Sequence, residues 1–279
     1  MTGRKVQVLC LLLAIVLVVC SRPLQSRISH LREREGLEVA GQEPAEVVPI
    51  LIMGGFRGVA VDVLWIRAMA RQEERKFYEL LAIFNVIAKL QPNFPMVWIF
   101  QGWNMAYNIY HEWEERDDKW KWLREGLEFA QKGFSKNPNS GDLAFEIGFM
   151  FHHKFDKIIF PDGPYHRQVM KKQMGLDNYD ESVKWMRKAL RPGIEYKYRS
   201  PIVIERQICH VLLKASAAHE EEGDLPRALA YAKAAVEGWK GYIAHYPDDP
   251  YFRAREAMAM VQDRIAYLEK TIREQEGRK

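Results

Sequence analysis

Small residues recur in this chain at the spacing where two antiparallel helices cross. No other feature limits the available folds as much. The clearest copy runs Leu212-Leu213-Lys214-Ala215-Ser216-Ala217-Ala218-His219, then Gly223-Asp224-Leu225-Pro226-Arg227-Ala228, then Ala232 and Ala235. Side chains this small let two helices approach closely, and Gly-Asp supplies the turn between them. A helix pair that cannot bury its apolar face alone stacks on the next, and a stack of pairs is a binding surface before it is anything else.

The same layout recurs upstream, where Gln91-Pro92 and Asn137-Pro138 close earlier pairs. Proline disfavours a helical conformation at the residue before it, so each marks a helix end. Counting back from Pro92 predicts helices over 56–72 and 75–91, with Ala68 at the first crossing and the larger Leu80 at the second. Counting back from Pro138 puts Gly102 and Gly126 at the crossings. A third pair starts at Gly141, crosses at Gly148 and returns over Tyr179 to Leu190. Residues 152–178 between its helices are an insertion, and the Ala215–Ala235 copy is the fourth pair. After Pro250 comes a polar helix, Tyr251 to about Glu274. Its apolar face (Ala254, Ala257, Met258, Val261, Ile265, Leu268) recurs at three- and four-residue steps. Such a helix caps the end of a stack. The expected fold is all-α: an α-solenoid of about four helix pairs with a C-terminal capping helix, over residues 50–279.

Ahead of this domain, Val6 to Cys20 read VQVLCLLLAIVLVVC, with Arg4 and Lys5 before and Arg22 after. Residues 1–22 are expected to be an N-terminal signal anchor, a transmembrane helix. The fifteen apolar residues span about 22 Å as a helix, short of a roughly 30 Å core, and snorkelling of Lys5 and Arg22 closes the gap. No A-x-A site follows; Leu17-Val18-Val19-Cys20 has the outline of a lipobox, so cleavage and lipidation stay open as alternatives. A charged stem and linker fill 23–49. Val47 to Phe56 is apolar but broken by Pro49, Gly54 and Gly55, which suits a buried lead-in rather than a second span.

Composition is globular, with 48% hydrophobic and 28% charged residues. A net charge of +4, with basic residues interspersed among acids, does not support a nucleic-acid partner. Of three cysteines, Cys209 stands alone in the folded part, which leaves no internal disulfide there. No phosphate-binding loop, dinucleotide fingerprint, nucleophile elbow or H-E-x-x-H is present, so no enzyme class and no cofactor is indicated.

Three groups of residues are candidates for function. Trp103, Asn104, Tyr107 and Asn108 lie on an aromatic-rich helix, and rigid amphipathic rings are frequent hot spots for protein partners. Asp62 sits in an otherwise apolar helix, where a buried carboxylate needs an arginine; a structural ion pair is expected. The insertion carries His152, His153, Asp156 and His166, with His152 and Asp156 one helical turn apart. They are weak candidates for a metal site, or for an enzyme built on His152 to Arg167. The other reading of these histidines is a helix end capped by imidazoles, with Lys154 and Lys157 favouring the C-terminal dipole.

The small residues at the crossings and the closing prolines resemble the tetratricopeptide repeat over roughly residues 56 to 245. That family implies a right-handed solenoid. Gly54 to Ala68, Leu90-Gln91-Pro92 and Trp103-Asn104-Met105-Ala106-Tyr107-Asn108 also look like a group of membrane-tethered bacterial repeat proteins without an assigned activity. The resemblance implies a bacterial inner-membrane location, single-pass, with the bulk of the chain on the periplasmic side. It also implies a scaffold that binds membrane-associated protein partners, or a structural subunit of a large membrane assembly. It supplies no catalytic residue.

Overall fold

The computed structural model describes residues 57–249 and 253–277. The expected anchor, stem and lead-in up to Phe56 lie outside them. All the regular structure among the described residues is helical: ten α-helices, one π-helical stretch and no strand, with a lone parallel bridge between Ser140 and Glu195. None of these helices is long and apolar enough to cross a membrane. The chain divides into two compact units, Met1–Asn93 and Phe94–Lys279.

In the first unit, α1 (Arg57–Glu73) packs against α2 (Phe77–Leu90). Arg75, at a φ of 56°, makes the turn between them. Val61 and Ala68 face inward on α1, and Leu80, Ile83, Phe84 and Ile87 do so on α2. Trp65 meets Phe84 edge-on at 5.1 Å. Leu80 is fully buried despite its size, so this crossing accepts a large residue opposite the small Ala68. Asp62 corrects an expectation. It is exposed on α1, so water solvates its carboxylate and the buried pairing with an arginine loses its premise.

In the second unit, α3 (Pro95–Trp103) starts with Pro95, whose missing N–H goes unused in a first helical turn. It runs into the π-helical Asn104–Ile109, and α4 (Arg116–Lys136) returns alongside. A Cβ added to Gly126 would lie 2.6 Å from the Gly102 carbonyl oxygen and 3.1 Å from the Ala106 Cβ, so the two backbones nearly touch. The next pair is α5 (Gly141–His153) and α7 (Asn178–Ala189). They approach closely at Gly148, where a Cβ would lie 2.8 Å from the Ser182 carbonyl oxygen. Ser182 Oγ also donates to the Gly148 carbonyl at 2.7 Å.

The third pair of this unit is α8 (Pro201–Glu221) and α9 (Leu225–His245), joined through Gly223 at φ 80° and capped by Asp224. Ala215, Ala228, Ala232 and Ala235 are fully buried. The terminal helix α10 (Ala254–Glu276) packs on α9 through Ala254, Val261 and Leu268. The insertion holds one further helix, α6 (Gly163–Met174), which stops at the left-handed Gly175.

Candidate functional site

The π-helical stretch decides how the aromatic residues are shared between core and surface. A wider turn shifts every later side chain relative to a plain α-helix, and such turns are frequent at functional sites. Here Trp103 and Tyr107 stack at 4.2 Å and 15° and stay half-buried, whereas Tyr110 turns inward and is buried. The face continues onto α5. Phe149 lies parallel to Trp103 at 6.0 Å, and His153 stacks on Phe149 at 4.7 Å. Two hydrogen bonds lock the rings: Trp103 Nε1 donates to Glu146 Oε2, and Tyr107 Oη meets His153 Nδ1, each at 3.0 Å.

Behind the rings, Glu146 also accepts from Arg199 Nη2 at 2.6 Å. Burial raises the Glu146 carboxyl above its ordinary value in spite of the opposing pull of Arg199 and Trp103. Burial likewise pushes the Tyr107 phenol well up. Asn108 is exposed at the edge of the face. Asn104 is not available to a partner as expected: it is 1% exposed, and its Oδ1 accepts from Asn108 Nδ2 at 3.0 Å.

The four candidate metal ligands go separate ways, because α5 ends at His153 and the helical turn expected to align His152 with Asp156 does not form. His152 Nε2 meets Gln207 Nε2 at 2.9 Å, and burial pushes the imidazole down to about 3, so it is neutral and accepts. Asp156 accepts the Ile158 N–H at 2.9 Å and pairs with Lys214. Burial alone would raise its carboxyl, but these partners hold it below the usual range. His153 belongs to the aromatic face, and its imidazole is lowered by burial. His166 is fully buried, with neither ring nitrogen hydrogen-bonded, between Tyr110 and Trp120 at 5.5 and 6.0 Å. Among the described residues, no three His, Cys, Asp or Glu side chains converge as metal ligands.

One residue escaped the sequence reading. Lys154, expected at a solvated helix end, is fully buried with its ammonium nitrogen unbonded. Nζ lies 3.2 Å from the Tyr110 ring centroid, 3.7 Å from that of Phe160 and 4.8 Å from that of Tyr107. Burial pushes the amine down to about 6, while ring faces attract the charged form. Nothing local signals this burial, since it depends on Phe160 folding back from the insertion.

The insertion is fastened at both ends. At its start, Asp162 pairs with Lys119 at 2.9 Å and Arg116 at 3.0 Å, and the backbone of Gly163 presses on that of Phe155. At its far end, Arg167 is buried against Asp177 at 2.8 Å and Glu222 at 2.7 Å, and also bonds Asn178. No protein-family model matches the chain, and no curated protein matches it.

Proposed function

We propose that this protein is a membrane-tethered, tetratricopeptide-like scaffold. Its helix pairs form a right-handed solenoid that takes a segment of a protein partner on the face of Trp103, Tyr107, Phe149 and His153. Residues 6–20 tether it to the bacterial inner membrane, with the bulk of the chain on the periplasmic side. The tether raises the local concentration of membrane-bound partners. The observation that carries the reading is the half-buried ring layer shared by the first helices of two successive pairs, α3 with its π-helical extension and α5, with exposed Asn108 at its edge. Rings held by hydrogen bonds lose little conformational freedom on binding, which favours them as anchors. Close crossings at Gly102–Gly126 and Gly148–Ser182, and a capping helix after the last pair, suit a repeat stack.

A photo-crosslinking amino acid at Asn108, in the full-length protein in its membrane, tests the reading. One discrete protein adduct is expected at position 108, and Trp103→Ala should abolish it in a chain that melts lower, for loss of the ring stack and the Glu146 hydrogen bond, but is still folded at the temperature of the assay. No adduct at 108, or loss of the adduct only because Trp103→Ala unfolds the chain, refutes the assignment of this face.

A further inference from the structure

The insertion packs four bases around two rings: Lys154 and His166 are fully buried, His153 is half-buried and His111 is exposed at the edge. The rings are those of Tyr110 and Phe160. His111 lies 5.9 Å from Phe160, His153 5.4 Å from Phe160, His166 5.5 Å from Tyr110, and the Lys154 nitrogen 3.2 Å from Tyr110. Burial lowers all four toward the neutral form.

The charged groups facing His166 are Lys154 at the end of α5, Lys119 on α4, and Asp162 just before α6, while Arg116 meets the imidazole through its backbone and turns its guanidinium to Asp162. The titratable phenols beside it are Tyr110 and Tyr165. The one acid in this group, Asp162, is already shared by Lys119 and Arg116. A proton on His166 therefore adds an uncompensated charge to a ring-packed interior, where an unpaired ion is strongly disfavoured.

We infer that residues 154–166 form an acid-released strap, which stays closed while His166 is neutral and lifts when His166 takes a proton, baring Tyr107 and His153 beneath Phe160. His166 is pushed from 6.5 down to about 4 when closed. An opened strap returns it to its ordinary value, so the open form binds more protons between those limits. The closed form thus loses stability as pH falls through that window, by about tenfold in the closed-to-open ratio per pH unit. Lys154 acts in a different window. Its amine falls from 10.5 to about 6, so its share is lost from alkaline pH downward and is largely gone at neutrality.

The far end of α6 holds through the acid range. Arg167 and Lys171 meet Asp177 and Glu222 there, with His219 beside them, and pairing keeps Glu222 ionised down to about 2. Release is therefore local, with the Arg167 end as hinge. Capture of a partner by the bared rings rests on the binding face proposed above. The strap motion does not, so the two can fail separately.

Hydrogen exchange of the full-length protein in mild detergent from pH 7.5 to 4.5, corrected for the intrinsic pH dependence of exchange, reads the strap directly. Protection over 154–166 should fall about tenfold per pH unit from pH 7.5 to 6 through Lys154, and about tenfold per unit from pH 6 to 4.5 through His166, while α8 and α9 keep theirs. His166→Phe should flatten the slope below pH 6, and Lys154→Met should raise protection at pH 7.5 without changing the slope below pH 6. The inference is overturned by constant protection of 154–166 across the range, by loss in step with α8 and α9, or by a full slope below pH 6 in His166→Phe. If the variant does not fold, the comparison of segments in the natural protein decides alone.

Discussion

Adding the same methyl group at two helical glycines should change stability in opposite directions. At Gly126, the new Cβ would sit 2.6 Å from the Gly102 carbonyl oxygen, 3.0 Å from the Ala106 nitrogen and 3.1 Å from the Ala106 Cβ. Carbon normally stops about 3.3 Å from a carbonyl oxygen, so α4 must move off α3 by roughly 0.7 Å. Two of the three contacts are backbone and the third is a Cβ, so no rotamer change relieves them. Overpacking of this kind costs about 1–3 kcal/mol, against a helix-propensity gain of about 1 kcal/mol for Gly to Ala. Gly126→Ala is therefore expected to destabilise by up to about 2 kcal/mol.

At Gly241, on α9, a Cβ meets nothing within 4 Å, so only the propensity gain remains and Gly241→Ala should stabilise by up to about 1 kcal/mol. For a unit of this size, 1 kcal/mol moves the melting temperature by about 2–4 °C. Thermal unfolding of the two variants beside the natural protein should bracket it, Gly126→Ala below and Gly241→Ala above. A Gly126→Ala protein that melts at or above the natural protein would refute the close crossing of α3 and α4.

Two further outcomes follow from buried carboxylates. Asp142, on the first turn of α5, accepts the N–H groups of Lys197, Tyr198 and Arg199 at 2.7, 3.1 and 2.8 Å. Asp142→Ala orphans all three and should cost about 2–4 kcal/mol in urea unfolding, with Asp142→Asn recovering part of it. Arg167→Met strips Asp177 of its buried partner and should cost about 3–5 kcal/mol at neutral pH. The carboxyls of Asp177 and Glu222 are held below their ordinary values, Glu222 at about 2. Their contribution is thus present above the usual carboxylate range and lost as pH falls through the folded values. The stability gap between natural protein and variant should close toward pH 2, and a gap constant from pH 6 to 2 would rule out this source.

Much of the helix layout was legible because its signals are local. Proline after a helix, glycine at a turn and small residues at crossing positions act within one or two turns of their own place in the chain. They located the first pair, predicted over 56–72 and 75–91 and found at Arg57–Glu73 and Phe77–Leu90. They also located the approaches at Gly102, Gly126 and Gly148 and the inward face of α10. The aromatic candidates were partly legible. Trp103 and Tyr107 do reach the surface together, but the π turn that buries Asn104 has no periodic signature.

The sequence by itself determined that this chain builds antiparallel helix pairs with close crossings, since helix periodicity and side-chain volume are properties of short stretches. Only the tertiary structure decided which polar groups were buried. Asp62 faces water, Lys154 is sealed among three rings, and Asp142 and Arg167 bind groups more than fifty residues away. Burial of a charge depends on which distant segment folds over it, and no pattern within one helix records that.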